Sequence, residues 1–135
     1  MTIEHDSRRA AARVPIELKV EYERKNNFFA DYTKNISQGG TFIGTNEPMP
    51  IGTHFVFKLH VTDLKEPLNI KGTVRFVIQP GGDKEPGMGI QFDYSNDKEK
   101  EYVHSVVKQL MDDSLGKTLS DKLWEKAENG SETLK

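Results

Sequence analysis

The chain contains no cysteine, which excludes disulfides, thiolate-held metals and a cysteine nucleophile. No apolar run approaches the ~20 residues that span a bilayer. Residues 1–12 also lack the apolar stretch of a signal peptide. The expectation is a soluble, cytoplasmic protein with no membrane insertion. An excess of basic charge is missing as well: 19 Lys and Arg stand against 21 Asp and Glu, for a net charge of −2. A general nucleic-acid binder carries a basic face that neutralises phosphates, so nucleic acid is not expected as a partner and a DNA-binding regulator is the least favoured class. Catalytic constellations are lacking too. His54 and His60 share one strand face but lie about 20 Å apart at ~3.3 Å per residue, too far to ligate one metal. Ser37 has no histidine at a linkable spacing, and the Walker phosphate-loop pattern is absent. Neither an enzyme nor a resident metal or cofactor is expected.

What is present is a chain of 135 residues, 35% hydrophobic and 30% charged. That length fits one domain with a modest, efficiently patterned core. The reading divides it into an arginine-bearing arm at 1–13, a β-barrel with a C-terminal helix at 14–112, and a short helical or disordered tail at 113–135. From Val14 to Glu23 apolar and polar residues alternate as in a half-buried strand. A turn at Arg24–Asn27 leads into Phe28–Ile36, where Phe28, Ala30, Tyr32 and Ile36 share one phase and Lys34 breaks the pattern. Thr41–Ile43 forms a short strand. His54–Thr62 points Phe55, Phe57, Leu59 and Val61 inward. Leu68–Gln79 carries Ile70, Gly72, Val74, Phe76 and Ile78 on one face, with a bulge expected at Gly72. After the Pro80–Pro86 loop, Met88, Ile90, Phe92 and Tyr94 line the last strand.

Six short antiparallel strands suggest a small closed barrel, which removes exposed edges. At Asn96 the period becomes helical. Asn96 and Glu99 resemble a capping box, and Tyr102, Val103, Val106, Val107, Leu110 and Met111 define the buried stripe. Leu119, Leu123 and Trp124 suggest one or two further turns, with 126–135 read as disordered.

Asn35-Ile36-Ser37-Gln38-Gly39-Gly40 concentrates the residues a tight strand-to-strand turn wants, and a plain hairpin is one reading of it. The other reading is a binding floor: an amide, a hydroxyl and open backbone N–H groups suit nucleobase edges and phosphates. Arg8, Arg9 and Arg13 are three of only five arginines. On a polar arm they are either simply solvated or planar forks for phosphate and the O6/N7 edge of guanine.

At these residues the chain resembles the PilZ domain family, whose members bind the bacterial second messenger cyclic di-GMP. The family's RxxxR reads Arg9-Ala10-Ala11-Ala12-Arg13 here. Its [D/N]xSxxG reads Asn35-Ile36-Ser37-Gln38-Gly39-Gly40, and a late GxGΦxF strand reads Gly87-Met88-Gly89-Ile90-Gln91-Phe92. The resemblance covers residues 7–112 and implies a six-stranded antiparallel barrel plus a C-terminal helix. It implies that Arg9 and Arg13 contact guanine and phosphate, and that Asn35 and Ser37 contact a base edge and a phosphate. Gly39 and Gly40 would let the backbone turn close to the ligand. Asn35 replaces the commoner Asp, so one carbonyl stands where a carboxylate would accept from guanine. Arg8, just before RxxxR, is similar to the pattern associated with a stacked pair of ligands, which implies two cyclic di-GMP molecules per chain. Ordering the arm costs backbone entropy that only several charge-assisted bonds offset, so the ligand needs phosphates and flat bases. The function implied is a receptor, monomeric or weakly dimeric, that orders its arm and signals to a downstream protein. The alternative is an adaptor working by protein contacts in motility or pilus machinery, with weak or no ligand binding.

Overall fold

The computed structural model describes residues 13–133, with side chains through 128; Arg8, Arg9 and the rest of the expected arm before Arg13 lie outside the described residues. Six strands, β1 (Lys19–Arg24), β2 (Asn27–Ser37), β3 (Gly40–Gly44), β4 (His54–Leu59), β5 (Leu68–Ile78) and β6 (Gly87–Asp93), are followed by α1 (Asp97–Leu115) and α2 (Lys117–Thr133). The strands close into an antiparallel barrel in the order β1-β2-β3-β6-β5-β4. Its core centres on Val20, Ile36, Ile43, Phe57, Leu59, Ile70, Val74 and Met88, each at most 1% exposed. Burying a side chain of this kind stabilises the fold by ~1.5–3 kcal/mol. Among the described residues no helix is long and apolar enough to cross a membrane.

The first strand is shorter than its alternation suggests. Val14 is buried and pairs with Ile36 only through an isolated bridge, with N–H···O bonds of 2.8 and 2.9 Å. Between them and β1, the Thr33 hydroxyl takes the ladder's place: it donates to the Ile16 carbonyl at 2.6 Å and accepts from the Leu18 N–H at 2.9 Å. Pro15, which has no N–H to give, falls in that gap. Lys25 and Asn26, with φ of 50° and 66°, make the tight β1–β2 hairpin.

On β2, Phe28, Ala30 and Tyr32 point outward, with Phe28 84% exposed, while Ile36 is fully buried. The register shift between Thr33 and Asn35 separates the two halves. The outward phase looked apolar because the inward one carries Asp31, whose carboxylate accepts from the Tyr22 hydroxyl at 2.7 Å. That bond and burial push the Tyr22 hydroxyl well above its ordinary range, burial being the larger cause.

The bulge expected at Gly72 lies instead between Val74 and Phe76. Gly72 is regular strand, and its lack of a side chain is a packing need: a Cβ there would sit 2.5 Å from Ile90 Cγ2. The displaced bulge turns Phe76 outward, so it does not share the inward face of Ile70 and Val74.

Asn96 caps α1 as anticipated, its Oδ1 accepting from the Glu99 N–H at 2.8 Å. The return bond reaches one residue further, from the Ser95 N–H to Glu99 Oε1 at 2.9 Å. Val103, Val107 and Met111 form the buried stripe and join the barrel core. Gly116, at φ 88°, ends the helix with its N–H on the Asp112 carbonyl. A full second helix then follows where a turn or two and a disordered tail were anticipated. Ser120 is fully buried at its contact face, with Leu123 and Trp124 packed beside it against the core. A small polar residue at the buried centre weakens the apolar period. Lys108 ties the helices together, at 2.8 Å from Asp112 and 2.5 Å from Asp121. His104 stands edge-on to Tyr94 and Trp124, ring centroids 5.7 and 5.3 Å away.

Candidate functional site

The segment Asn35–Gly40 is the β2–β3 hairpin: Ser37 pairs with Gly40, and Gln38 and Gly39 form the turn. The two glycines do different jobs. A Cβ on Gly40 would strike the Ile90 carbonyl oxygen of β6, so this position must be bare for the strands to pair. Around Gly39 nothing lies within 4 Å of where a Cβ would be, while its carbonyl accepts from the Phe92 N–H at 2.9 Å. Ser37 is buried, and its hydroxyl donates to the Gly40 carbonyl at 3.3 Å. The Thr41 hydroxyl donates to the Asn35 carbonyl at 2.6 Å, locking the strand that carries the amide.

Arg13 and Asn35 meet. Arg13 Nη1 donates to Asn35 Oδ1 at 2.9 Å, joining the two motifs across a separation of 22 residues. They open onto a cleft of about 340 Å³ that also presents Lys34, Lys84 and Glu85. Its apolar wall is Phe42, Phe76 and Ile78. The two rings stack with centroids 5.9 Å apart and planes 20° from parallel.

The late glycines seat this pair, since a Cβ on Gly87 would enter the Phe42 ring and one on Gly89 the Phe76 ring. The bulge in β5 that turns Phe76 outward thus exposes one ring of the pair, 41% accessible, over the buried Phe42. Rings of this kind stack on flat π systems, and the flanking cations suit anions.

Of the residues proposed from sequence, Arg13 and Asn35 line the cleft, and Ser37, Gly39 and Gly40 form the adjoining turn. Arg8 and Arg9 are outside the described residues. Lys34, Phe42, Phe76, Ile78, Lys84 and Glu85 were not anticipated as site residues. Lys34 was visible as the break in the β2 pattern, and the others carried no signal, because Phe76 read as core and the Pro80–Pro86 segment simply as a loop. Lys34 Nζ lies 3.0 Å from Glu85 Oε2 and 3.3 Å from Glu17 Oε2. The bond to Glu85 first, and that to Glu17 second, hold its ammonium above the usual lysine range.

The sequence matches the PilZ domain family over residues 7–109. The chain belongs to that family. Solved structures share the fold. Bacillus subtilis MotI/DgrA, an inhibitor of motility, is 12% identical with a TM-score of 0.58, the match covering 76% of this chain and 51% of that one. MrkH of K. pneumonia, solved as its cyclic di-GMP complex, is 17% identical with a TM-score of 0.57, covering 74% and 51%. The PilZ domain of CeSA from a cellulose-synthesising bacterium is 17% identical with a TM-score of 0.53, covering 73% and 97%. This chain therefore spans about half the length of MotI and MrkH. No curated protein sequence matches it.

Proposed function

We propose that this PilZ domain is a cyclic di-GMP receptor that orders its N-terminal arm around the ligand and signals to a partner protein. The observation that carries the reading is the Arg13–Asn35 bond at the mouth of a cleft walled by stacked Phe42 and Phe76. A cyclic dinucleotide combines what such a cleft recognises: flat purines for the ring faces and phosphodiesters for the guanidinium and ammonium groups. Arg9 and Arg13 grip guanine edges and phosphates, Asn35 reads a base edge, and the backbone at Gly39 is open to close approach. Ser37 acts chiefly by shaping the turn, since its hydroxyl is turned into the protein. Arg8 supplies the extra cation that a stacked ligand pair needs, so two ligands bind per chain, and Arg8→Leu moves the ratio toward one.

Titration calorimetry with cyclic di-GMP tests this. Wild type should bind, with the Arg9→Ala/Arg13→Ala double variant far weaker; equal affinity in the two rejects the site. A ratio of one ligand per wild-type chain rejects the role of Arg8. One observation favours the second reading, an adaptor acting through protein contacts with little ligand binding. The side-chain oxygen of Asn35, the acceptor for a guanine N–H, already accepts one bond from Arg13, which leaves it a single lone pair for a base. Absence of binding heat to wild type would select that reading.

A further inference from the structure

Lys34 sits at the register shift of β2, directly before Asn35. Its stem crosses Gly44, where a Cβ would stand 2.7 Å from Lys34 Cε, so that glycine is the seat of the lysine. Its head reaches Glu17, in the segment between Arg13 and β1, and Glu85, in the β5–β6 loop. The same two side chains, Lys34 and Glu85, also line a second cleft of about 270 Å³, bounded by Asp31, Tyr32, Thr45 and Pro86. Each cleft by itself is near or below the small end of the ~300–1,000 Å³ usual for small-molecule sites. The Lys34–Glu85 ion pair is their common wall.

Charge in the first cleft is uneven. Arg13, Lys34 and Lys84 face it, and Glu85 is its one carboxylate among the described residues. Glu85 is 56% exposed and Lys34 32% at the side chain, so the pair is wet and easily exchanged. A carboxylate oxygen at 3.0 Å from an ammonium occupies the place a phosphate oxygen would take.

We propose that Glu85 is a displaceable stand-in for ligand phosphate: a phosphodiester bonds Lys34 in its place, which frees the Pro80–Pro86 loop and joins the two clefts. This rests on the cyclic di-GMP reading and deepens it by assigning Lys34 as a phosphate contact and Glu85 as its internal competitor. No covalent bond changes, since one anion replaces another at the same ammonium. Glu17 keeps a second hold on Lys34, so the lysine stays aimed at the site while Glu85 leaves. The loop takes a positive φ of 108° at Gly81, a backbone conformation that glycine adopts at no steric cost.

Calorimetry on a double-mutant cycle tests the exchange. Glu85→Gln should tighten cyclic di-GMP binding about two- to fivefold, the range an exposed ion pair supports. Lys34→Met should weaken binding, and adding Glu85→Gln to it should bring no further gain. An unchanged or weaker affinity for Glu85→Gln overturns the proposal. So does a full gain in the Lys34→Met background, which would mean that any lost negative charge suffices. A second readout follows the loop. Because the chain has no cysteine, Asp83→Cys carries a single spin label, whose mobility should rise when cyclic di-GMP is added. A label spectrum that ignores bound ligand rejects loop release. Failure of the underlying reading looks different: neither wild type nor Glu85→Gln would give binding heat.

Discussion

The cleft rim and the helix-to-barrel contact are held together by different forces. At the rim, Arg13 donates to the neutral Asn35 amide and Lys34 pairs with Glu85, all through exposed or half-exposed groups. Such pairs contribute ~0–1 kcal/mol each. Under α1, Val103, Val107 and Met111 are each at most 2% exposed and belong to the barrel's own core. The difference teaches where this fold tolerates change. Rim side chains can be altered for binding with little effect on stability, while the helix stripe has stability and no binding to lose.

The sharpest test of that division is Met111→Ala. It removes a fully packed side chain and should cost ~2–5 kcal/mol of unfolding free energy, measured by denaturant titration. Affinity for cyclic di-GMP, measured where the variant remains folded, should be unchanged. A destabilisation below ~1 kcal/mol would mean the stripe is not core. Arg13→Ala is the mirror image. It should lose ~1.5–3 kcal/mol of binding, at least about tenfold in Kd, with a melting midpoint close to wild type. A large fall in stability would instead make the Arg13–Asn35 bond a structural clasp.

Gly40→Ala crosses the division. The position belongs to the binding motif, yet its neighbour is the β6 backbone, which cannot yield as a flexible side chain would. Overpacking of this kind costs ~1–3 kcal/mol. Chemical denaturation should therefore report a loss typical of the core, and an unaltered unfolding midpoint would refute the close-approach account of this glycine.

Legibility followed the same line. The barrel and the first helix were readable because alternation and helical period are imposed by burial, as along His54–Leu59 and from Val103 to Met111. The β2–β3 hairpin was readable because turn residues have narrow uses, whereas the bond between Arg13 and Asn35, both read as ligand contacts, was not. What stayed hidden depends on tertiary accommodation. Asp31 inside β2 was made tolerable by Tyr22, and the bulge before Phe76 turned a residue read as core into cleft wall. The second helix was legible only as a turn or two, from Leu119, Leu123 and Trp124; its full length was not, since no hydrophobic pattern announces the burial of Ser120. Lys84 and Glu85 became site residues only through the folding of their loop against β2.

Acid separates the helix junction from the rim more gently. Asp112 and Asp121 are held below the usual carboxylate range, in each case first by the bond to Lys108. A carboxylate whose folded pKa is depressed adds stability above its unfolded value, and that stability is lost as pH falls through the folded value. The α1–α2 contact should thus begin to loosen below the ordinary aspartate value of 3.8. Trp124, the sole tryptophan, reports this through its packing on His104. Its fluorescence should change in that window in wild type and much less in Lys108→Met, where the partner charge is gone. Equal acid responses in both proteins would remove the ion-pair network from the account.

The smallest expected effect on stability belongs to Gly39→Ala, and it cuts most finely. Gly39 neighbours Gly40 in the same turn, but open space surrounds the place of its Cβ, and it is not among the positive-φ glycines. The added methyl meets nothing in the folded state and restricts the unfolded chain, a change that ranges from neutral to ~1 kcal/mol stabilising. The thermal midpoint should therefore hold or rise slightly, in contrast to Gly40→Ala. Binding should move the other way if the ligand approaches the open backbone here, because a methyl then stands where a phosphate or base would pack. Gly39→Ala should weaken cyclic di-GMP binding in calorimetry while its melting curve matches or exceeds wild type. A destabilised variant would show that the turn is tighter than its open surroundings imply. A stable variant with wild-type affinity would take Gly39 out of the site and leave the recognition to Asn35 and the arginines.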